Sequence, residues 1–220
     1  MKLCFEHPWD VSPAQAKDIQ RNLSSQVILE DRFDAIHYVA GVDVGFEENN
    51  TITRAAIAVL SFPQLELYEH AIARLPTQFP YIPGYLSFRE IPAVLEALDK
   101  IRQWPDMLLC DGQGIAHPRR FGIACHLGVL TDIPAIGVAK SRLIGSYDHV
   151  PIEKGQSVAL IDKGEVVGAV LCTRSKINPL YISPGHKISL GSAINIVMQC
   201  VTKYRLPETT RWAHRLASNV

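Results

Sequence analysis

Hydrophobic residues in the N-terminal part of the chain follow helical spacing once and strand spacing three times. Ser12-Pro13-Ala14-Gln15 has the form of a capped helix start with proline at the first helical position. Apolar residues then recur at helical spacing, at Ala16, Ile19, Leu23 and Val27. Three apolar runs between turn-forming residues predict the strands His37 to Val44, Ala55 to Leu60 and Leu65 to Ala73. We therefore expect a helix followed by an antiparallel meander.

The pattern changes after the Pro/Gly-rich stretch Pro80-Tyr81-Ile82-Pro83-Gly84, where helices and strands begin to alternate. The next helix carries one apolar face, formed by Ile91, Leu95, Leu98 and Ile101. The later elements are predicted as the strand Met107 to Cys110, the helix Arg119 to Leu130, the strand Ala135 to Val138, a hairpin of Val158–Asp162 and Val166–Cys172, the helix Leu190 to Tyr204 and a last helix after Pro207. Because parallel strands need crossovers while hairpins join antiparallel ones, this order predicts an α/β fold with one mixed sheet between helices.

Length and composition are those of an ordinary globular domain. The chain has 220 residues, of which 47% are hydrophobic and 20% charged, and we expect residues 1–220 to form a single domain. Its five cysteines are scattered without a C-x-x-C pair, which argues against a disulfide framework or a structural zinc site. The sequence contains neither a signal-peptide pattern nor an apolar run of about 18 residues, so no membrane span is expected. A reducing compartment, the cytoplasm, is predicted.

The formal net charge is zero, which argues against bulk electrostatic attraction to nucleic acid. Any basic surface must therefore be local. His117-Pro118-Arg119-Arg120 is one candidate for such a surface. Scattered solvated charges are the alternative explanation of the same residues.

Acidic residues stand where apolar strands do not otherwise favour them. Asp43 lies inside Val42-Asp43-Val44, and Asp111 ends the predicted strand that begins at Met107. A carboxylate in a central strand is costly to bury unless it is paired, hydrogen-bonded or bound to metal. Hard divalent cations take oxygen ligands and keep several waters, so two or three carboxylates suffice.

Each of these residues also has a simpler interpretation. Asp43 and Asp111 could each be a turn residue at a strand end, an interpretation that the nearby Gly45 and Gly112 fit. Ser87-Phe88-Arg89-Glu90 matches a capping box, so Glu90 is either a ligand or the cap of a helix start. His214 is a lone helical histidine, and most such residues are packed or solvated. Spacing alone leaves these alternatives open.

Several residue strings resemble the endonuclease V family, the nucleases that repair deaminated bases. The strings reach from about residue 25 to 217 and are Gly41-Val42-Asp43-Val44-Gly45-Phe46, Pro80-Tyr81-Ile82-Pro83-Gly84 with Ser87-Phe88-Arg89-Glu90, Cys110-Asp111-Gly112 through Ile115-Ala116-His117-Pro118-Arg119-Arg120, Ile136-Gly137-Val138-Ala139-Lys140, Asn178-Pro179-Leu180, Gly185-His186 and Tyr204-Arg205-Leu206-Pro207. Gln113 departs from the pattern, because family members often carry histidine between the two glycines.

The resemblance implies an RNase H-like fold, with a mixed five-stranded sheet, flanking helices and extra C-terminal strands and helices. It implies that Asp43 and Asp111 bind catalytic Mg²⁺, for which Mn²⁺ can substitute, and that Glu90 completes the acidic cluster. Lys140 is similar to a lysine close to the scissile phosphate. His214 matches a catalytic-site position that varies between histidine and an acidic residue.

The same resemblance implies a separate set of residues for base recognition. Tyr81 lies on a segment stiffened by prolines, where an aromatic ring can wedge into the stack that a flipped base has left. Simple turn chemistry is the alternative explanation of the glycines. The full set of implied substrate-binding residues is Tyr81, Ile82, Pro83, Gly84, Leu86, Gly112, Gly114, His117 and Arg119.

The activity implied is hydrolysis of the second phosphodiester bond on the 3′ side of an inosine, leaving 3′-hydroxyl and 5′-phosphate ends. The expected partner is inosine-containing DNA, with an inosine-specific endoribonuclease as the alternative, and the chain is expected to be a monomer. Two other classes stay open. One is a non-catalytic binder of damaged nucleic acid, and the other is a relative of actin-like sugar kinases, whose phosphate loop resembles Val42-Asp43-Val44-Gly45.

Overall fold

The computed structural model describes residues 3–218. The helices of this part of the chain are α1 (Pro13–Ser24), α2 (Leu86–Leu98), α3 (Ile123–Thr131), α4 (Leu190–Gln199) and α5 (Glu208–Ala217). Its strands are β1 (Tyr38–Glu47), β2 (Ile52–Ser61), β3 (Leu67–Pro76), β4 (Met107–Cys110), β5 (Ala135–Ala139), β6 (Ser157–Asp162), β7 (Glu165–Leu171) and β8 (Leu180–His186). No helix in these residues is long and apolar enough to cross a membrane.

The strands form one eight-stranded mixed sheet in the order β3-β2-β1-β4-β5-β8-β7-β6. The first three strands are an antiparallel meander, and β1, β4 and β5 then run parallel to one another. Strands β8, β7 and β6 continue the sheet with antiparallel pairing beyond β5. The predicted fold class is confirmed, and the extra C-terminal strands extend the five-stranded sheet.

Helices cover both faces of this sheet. Neighbouring residues of β4 show the division, since Leu108 belongs to the core cluster under α2 and α3, while Leu109 belongs to the cluster under α4 and α5. Both side chains are fully buried. Strands buried on both faces read as continuous apolar runs, which explains why the sequence of β4 shows no alternation.

The largest differences from the prediction concern two helices and one strand. Smaller ones are that β1, β2 and β3 end at Glu47, Ser61 and Pro76 instead of Val44, Leu60 and Ala73, and that Ile101 follows the end of α2. Helix α3 begins at Ile123 instead of Arg119, because Arg120 has a positive φ of 55° and the chain before it turns. Helix α4 ends at Gln199 instead of Tyr204. The apolar residues Val201 and Leu206 made the helix look longer, but they lie in the loop that follows and pack against the core from there. Strand β8 was not predicted, because Ser183-Pro184-Gly185 resembles a loop.

The segment before α1 packs against the fold through a pair of histidines. His126 is fully buried, and its Nε2 lies 2.7 Å from Nε2 of His7 while its Nδ1 lies 3.0 Å from Oγ of Ser87. The ring of Trp9 stacks on His126 with 5.5 Å between the ring centroids. Burial lowers the pKa of His126 well below 6.5, and the neighbouring His7 lowers it further.

Because His126 is buried with a lowered pKa, we expect it to make the folded protein less stable at acidic pH. Below about pH 6.5 the unfolded chain takes up a proton at position 126 that the folded chain resists, so the folded state loses stability as the pH falls. The raised pKa of Glu90 acts in the opposite direction, so the measured quantity is the difference between the wild type and His126→Gln. Urea unfolding between about pH 5 and pH 7 should show a smaller acid loss for His126→Gln, while the exposed control His149→Gln follows the wild type. Equal slopes for all three proteins would contradict this assignment.

Candidate active site

Parallel pairing of β1 with β4 brings the two predicted aspartates side by side. Val42 pairs with Cys110, and the backbone N–H of Asp111 donates to the carbonyl of Val42 at 2.9 Å. Asp43 and Asp111 each come one residue later, so they occupy neighbouring positions on the sheet. Asp43 is 9% exposed. The sequence placed both residues at strands, and the sheet topology makes them neighbours.

Two glycines next to Asp43 let α5 lie directly on β1. Residues 41, 43 and 45 share one face of the strand because side chains alternate. A Cβ atom at Gly41 would lie 2.0 Å from the carbonyl oxygen of Thr209, and one at Gly45 would lie 2.4 Å from that of Ala217. The interpretation of Gly45 as a turn residue is wrong, because β1 continues to Glu47 and the glycines instead make room for the helix.

Helix α5 delivers His214 to this site. Its Nδ1 lies 2.7 Å from Oδ2 of Asp43, and the other carboxylate oxygen accepts the backbone N–H of Val44 at 2.7 Å. One potential ligand atom from each of Asp43, Asp111 and His214 lies within 4.8 Å of the others. Carboxylate oxygens with one imidazole nitrogen are a suitable donor set for a divalent cation.

Glu90 enters the same site from α2. It lines a cavity of about 30 Å³ together with Asp43 and Asp111. Helix α2 begins at Leu86, and its N-cap residue Tyr85 makes no side-chain capping bond, while the hydroxyl of Ser87 contacts His126. The capping-box interpretation of Glu90 is therefore wrong, because Ser87 is not the N-cap residue and its hydroxyl is engaged with His126.

Acidic groups crowd this part of the protein. Burial raises the pKa of Asp43, and the charge of Asp111 raises it further. Burial, followed by the charges of Asp43 and Asp111, raises the pKa of Glu90 to about 8. The ammonium group of Lys140 pairs with Oδ2 of Asp111. A bound cation would relieve the remaining repulsion, so the residues present fit a divalent metal.

Arg205 positions Lys140, a contact that the sequence did not predict. Its guanidinium donates to the carbonyl of Lys140 at 3.0 Å and to that of Pro179 at 2.8 Å. The two residues that make the second of these contacts belong to the family-like strings Asn178-Pro179-Leu180 and Tyr204-Arg205-Leu206-Pro207, which could have indicated it. These strings meet at the end of β5 and hold the backbone that carries the lysine.

A larger cavity of about 400 Å³ adjoins the acidic cluster and shares Glu90, Asp111 and Lys140 with it. Tyr81 stands at its rim and is 69% exposed. Six of the substrate-binding residues implied by the family resemblance line this cavity: Tyr81, Pro83, Gly84, Leu86, Gly112 and His117. Gln113, the residue that departs from the family pattern, also lines it and donates to the carbonyl of Ser141 at 3.0 Å.

The other three implied residues have internal contacts. Ile82 packs with the core cluster around Phe88, and the backbone N–H of Gly114 donates to Oγ of Ser183 at 2.8 Å. Arg119 donates to the carbonyl of Gly84. The next residue in the basic cluster, Arg120, forms ion pairs with Asp162 and Glu165 at 2.9 Å each. The cluster from His117 to Arg120 is therefore part of the internal scaffold and not a free basic surface.

The family model of endonuclease V matches residues 21–215. This chain belongs to the endonuclease V family. The match agrees with the strings that suggested the family, and it leaves the sugar-kinase alternative without support. A curated endonuclease V from Rippkaea orientalis is 67% identical, with 100% of this chain and 95% of the relative covered.

Solved structures of the endonuclease V family share the architecture. The crystal structure of endonuclease V from Streptomyces avermitilis is 38% identical with a TM-score of 0.92, covering 100% of this chain and 97% of the other. Endonuclease V from Ciona intestinalis, in complex with a 24mer DNA containing an inosine followed by a ribo-adenosine, is 31% identical with a TM-score of 0.83. That match covers 94% of this chain and 96% of the other.

Proposed function

We propose that this chain is a metal-dependent repair endonuclease that recognises inosine in DNA and hydrolyses the second phosphodiester bond on its 3′ side. The products are a 3′-hydroxyl and a 5′-phosphate. The observation that carries the proposal is the junction of two features: an acidic cluster built around Asp43 shares Glu90 and Asp111 with a cavity of about 400 Å³. The cavity provides space for a base, and the cluster provides ligands for a metal next to it. A lesion and a bond one nucleotide away can thus occupy neighbouring sites.

We assign the metal ligands to Asp43, Asp111 and Glu90, and the metal to Mg²⁺, with Mn²⁺ able to substitute. When bound, such a cation polarises a phosphoryl oxygen and lowers the pKa of water, in favourable sites from 15.7 to about 7. His214 orients Asp43 through the contact at Oδ2. Lys140, held next to Asp111, stabilises negative charge that develops on the phosphate.

Base recognition is assigned to the residues around the larger cavity. An edge that is hidden in a duplex becomes accessible only when the base rotates out, at a cost of a few kcal/mol. The exposed ring of Tyr81 is placed to fill the vacated stack, since base–aromatic stacking is worth about 1 to 3 kcal/mol. Backbone groups of Gly84 and Gly112, which line the cavity, can approach a base closely because no side chain intervenes.

Replacing the wedge tests this assignment. Tyr81→Ala is expected to lower the preference for inosine over adenine by roughly tenfold, because loss of one stacking contact removes about 1 to 3 kcal/mol. Binding is measured in EDTA with two duplexes that differ only at the inosine position. The matched control is Tyr68→Ala, an exposed tyrosine on β3 that should retain the wild-type preference. An unchanged preference in Tyr81→Ala removes the wedge from the proposal.

The choice between DNA and RNA is tested by cleavage of paired oligonucleotides, each with and without inosine. We expect nicking of inosine-containing DNA in Mg²⁺ and none in EDTA. Preferential cleavage of inosine-containing RNA would instead support the endoribonuclease alternative. Binding without any nicking in Mg²⁺ would support a non-catalytic binder, against which the clustering of Asp43, Asp111 and Glu90 argues, since a binder gains nothing from acids facing phosphates.

The remaining assignments concern the whole chain. We propose that residues 1–220 act as one catalytic domain, because one sheet runs through the described part and carries the site at its centre. We also propose that the protein works in the cytoplasm as a monomer. Light scattering coupled to size-exclusion chromatography checks the monomer, which an apparent mass near 49 kDa, about twice 24.4 kDa, would contradict.

A further inference from the structure

We propose that Gln20, a buried residue of α1, is a positioning residue for base recognition, because its amide fixes the Gly84 carbonyl and with it the segment that carries Tyr81. The proposal rests on the proposed function. Gln20 lies before the matched residues 21–215 of the family model. Its side chain is remote in sequence from every residue assigned above.

Three donors from two distant parts of the chain converge on the carbonyl oxygen of Gly84. The Nε2 atom of Gln20 lies 3.0 Å from it, and Nε2 of His117 also lies 3.0 Å from it. The guanidinium of Arg119 donates to the same oxygen. A carbonyl oxygen has two lone pairs, so three donors hold it with more than its usual number of bonds. This oxygen is therefore the anchor of the Pro80–Gly84 segment.

Both the oxygen and the nitrogen of the Gln20 side-chain amide form hydrogen bonds. Its Oε1 accepts from Nε of Arg119, while its Nε2 donates to Gly84. Arginine can only donate and a backbone carbonyl can only accept, so a single orientation of the amide satisfies both neighbours. Gln20 is 1% exposed, and water therefore cannot replace either bond. Neither an acid nor an apolar side chain of similar size can make both contacts.

Neutral His117 completes the arrangement. Burial, followed by the charge of Arg119, lowers the pKa of His117 to about 4. A neutral imidazole has one donor and one acceptor nitrogen. Nδ1 receives the backbone N–H of Arg119 at 3.3 Å, so Nε2 carries the proton and donates to Gly84. Gln20 and His117 thus approach the carbonyl as neutral donors, and Arg119 is the charged one.

The anchor controls residues that face the cavity. Gly84 adopts φ +82°, and a Cβ atom there would lie 2.9 Å from the guanidinium of Arg119. Tyr81 and Pro83 lie just before Gly84 and line the cavity. Because the ring of Tyr81 is exposed, its position depends on the backbone that Gly84 anchors. Weakening the anchor should therefore displace the recognition segment while the acidic cluster on the sheet stays in place.

The test uses full-length protein with Gln20→Glu, which loses the donor to Gly84, and Gln20→Met, which loses both bonds at similar size. The matched control is Asn22→Asp, the same amide-to-acid change at an exposed position of α1. The probes are labelled duplexes with inosine or adenine at one position. Binding is measured in EDTA, and nicking of the inosine duplex is measured in Mg²⁺ at saturating and subsaturating enzyme.

Both Gln20 variants should lose about tenfold of the inosine-over-adenine binding ratio, a loss typical of one buried bond to a charged or fixed partner. Their nicking rate at saturating enzyme should stay within about twofold of wild type, because the acidic cluster is untouched. Asn22→Asp should match the wild type in both. An inosine-over-adenine binding ratio equal to that of the wild type in the Gln20 variants overturns the proposal, whether or not nicking at saturating enzyme is also reduced.

Arg119→Lys keeps the test decisive if the Gln20 variants do not fold. Lysine retains the charge but has a single donor nitrogen, whereas the arginine uses two different nitrogens to reach Gln20 and Gly84, so the inosine-over-adenine ratio should fall by about as much. A wild-type ratio in Arg119→Lys then overturns the proposal. If the wild-type protein itself does not nick inosine-containing DNA, the proposed function fails, which is a different result from unchanged selectivity in an active enzyme.

Discussion

Asp43→Asn should abolish nicking while leaving the binding of inosine-containing DNA intact. The substitution removes one charge from the metal ligands, and metal assistance is worth several kcal/mol, so the single-turnover rate in Mg²⁺ should fall on the order of a thousandfold or more. Tyr81 and Gly84 line the cavity that receives the base and Asp43 does not, so the affinity for inosine-containing DNA in EDTA should stay within about twofold of the wild type.

The same variant makes a second, opposite prediction for stability. Burial and the charge of Asp111 raise the pKa of Asp43, which means that the ionised group is unfavourable in the metal-free fold. Asparagine carries no charge, so the melting temperature in EDTA should be unchanged or higher than that of the wild type. Asp148→Asn, at an exposed position, serves as the control for both readouts. An active Asp43→Asn enzyme would contradict the role of Asp43 as a metal ligand. A melting temperature below that of the wild type would contradict the stability prediction.

Gly41→Ala should lower the free energy of unfolding markedly, although it adds only one methyl group. The new Cβ would lie 2.0 Å from the carbonyl oxygen of Thr209, which is helix backbone and cannot rotate away. Overpacking of this kind costs about 1 to 3 kcal/mol and occasionally more. Because α5 must move, His214 loses its position on Asp43, and nicking should fall together with the free energy of unfolding.

Gly191→Ala is the matched control for this change. It lies in α4, and a Cβ atom there would meet nothing within 4 Å. Alanine in a helix is favoured over glycine by up to about 1 kcal/mol, so this variant should be as stable as the wild type or more so and fully active. Chemical denaturation and nicking are measured for both variants. Equal stability of Gly41→Ala and Gly191→Ala would show that α5 does not need the close approach.

The sequence was sufficient where one pattern has one structural meaning. Period-2 and helical spacing predicted the meander and the later alternation of strands and helices, which leave few ways to order the sheet. Asp43 and Asp111 were recognisable because a carboxylate within an apolar strand is costly without a partner. Their adjacency then followed from the parallel pairing of β1 and β4.

Other features depend on contacts between distant segments and leave no local signal. Ser87 to Glu90 has the spacing of a capping box, and only the position of α2 shows that Glu90 faces two aspartates instead. The glycine at 45 has the same appearance in a turn as under a helix. Gln20 is indistinguishable from a solvated helical glutamine until α1 packs against Gly84. Strand β8 contains Pro184 and Gly185, which favour a loop wherever tertiary pairing does not override them.

Asp43, Asp111 and Glu90 are proposed to hold a divalent cation that assists hydrolysis of a phosphodiester bond beside an inosine. One measurement tests it most directly: mapping the nick in a 5′-labelled duplex with a single inosine, incubated with wild-type protein in Mg²⁺ or in EDTA. We expect one product in Mg²⁺, cut at the second phosphodiester bond 3′ to the inosine and ending in a 3′-hydroxyl, and no product in EDTA. Cleavage in EDTA, or cleavage in Mg²⁺ at positions unrelated to the inosine, would contradict it.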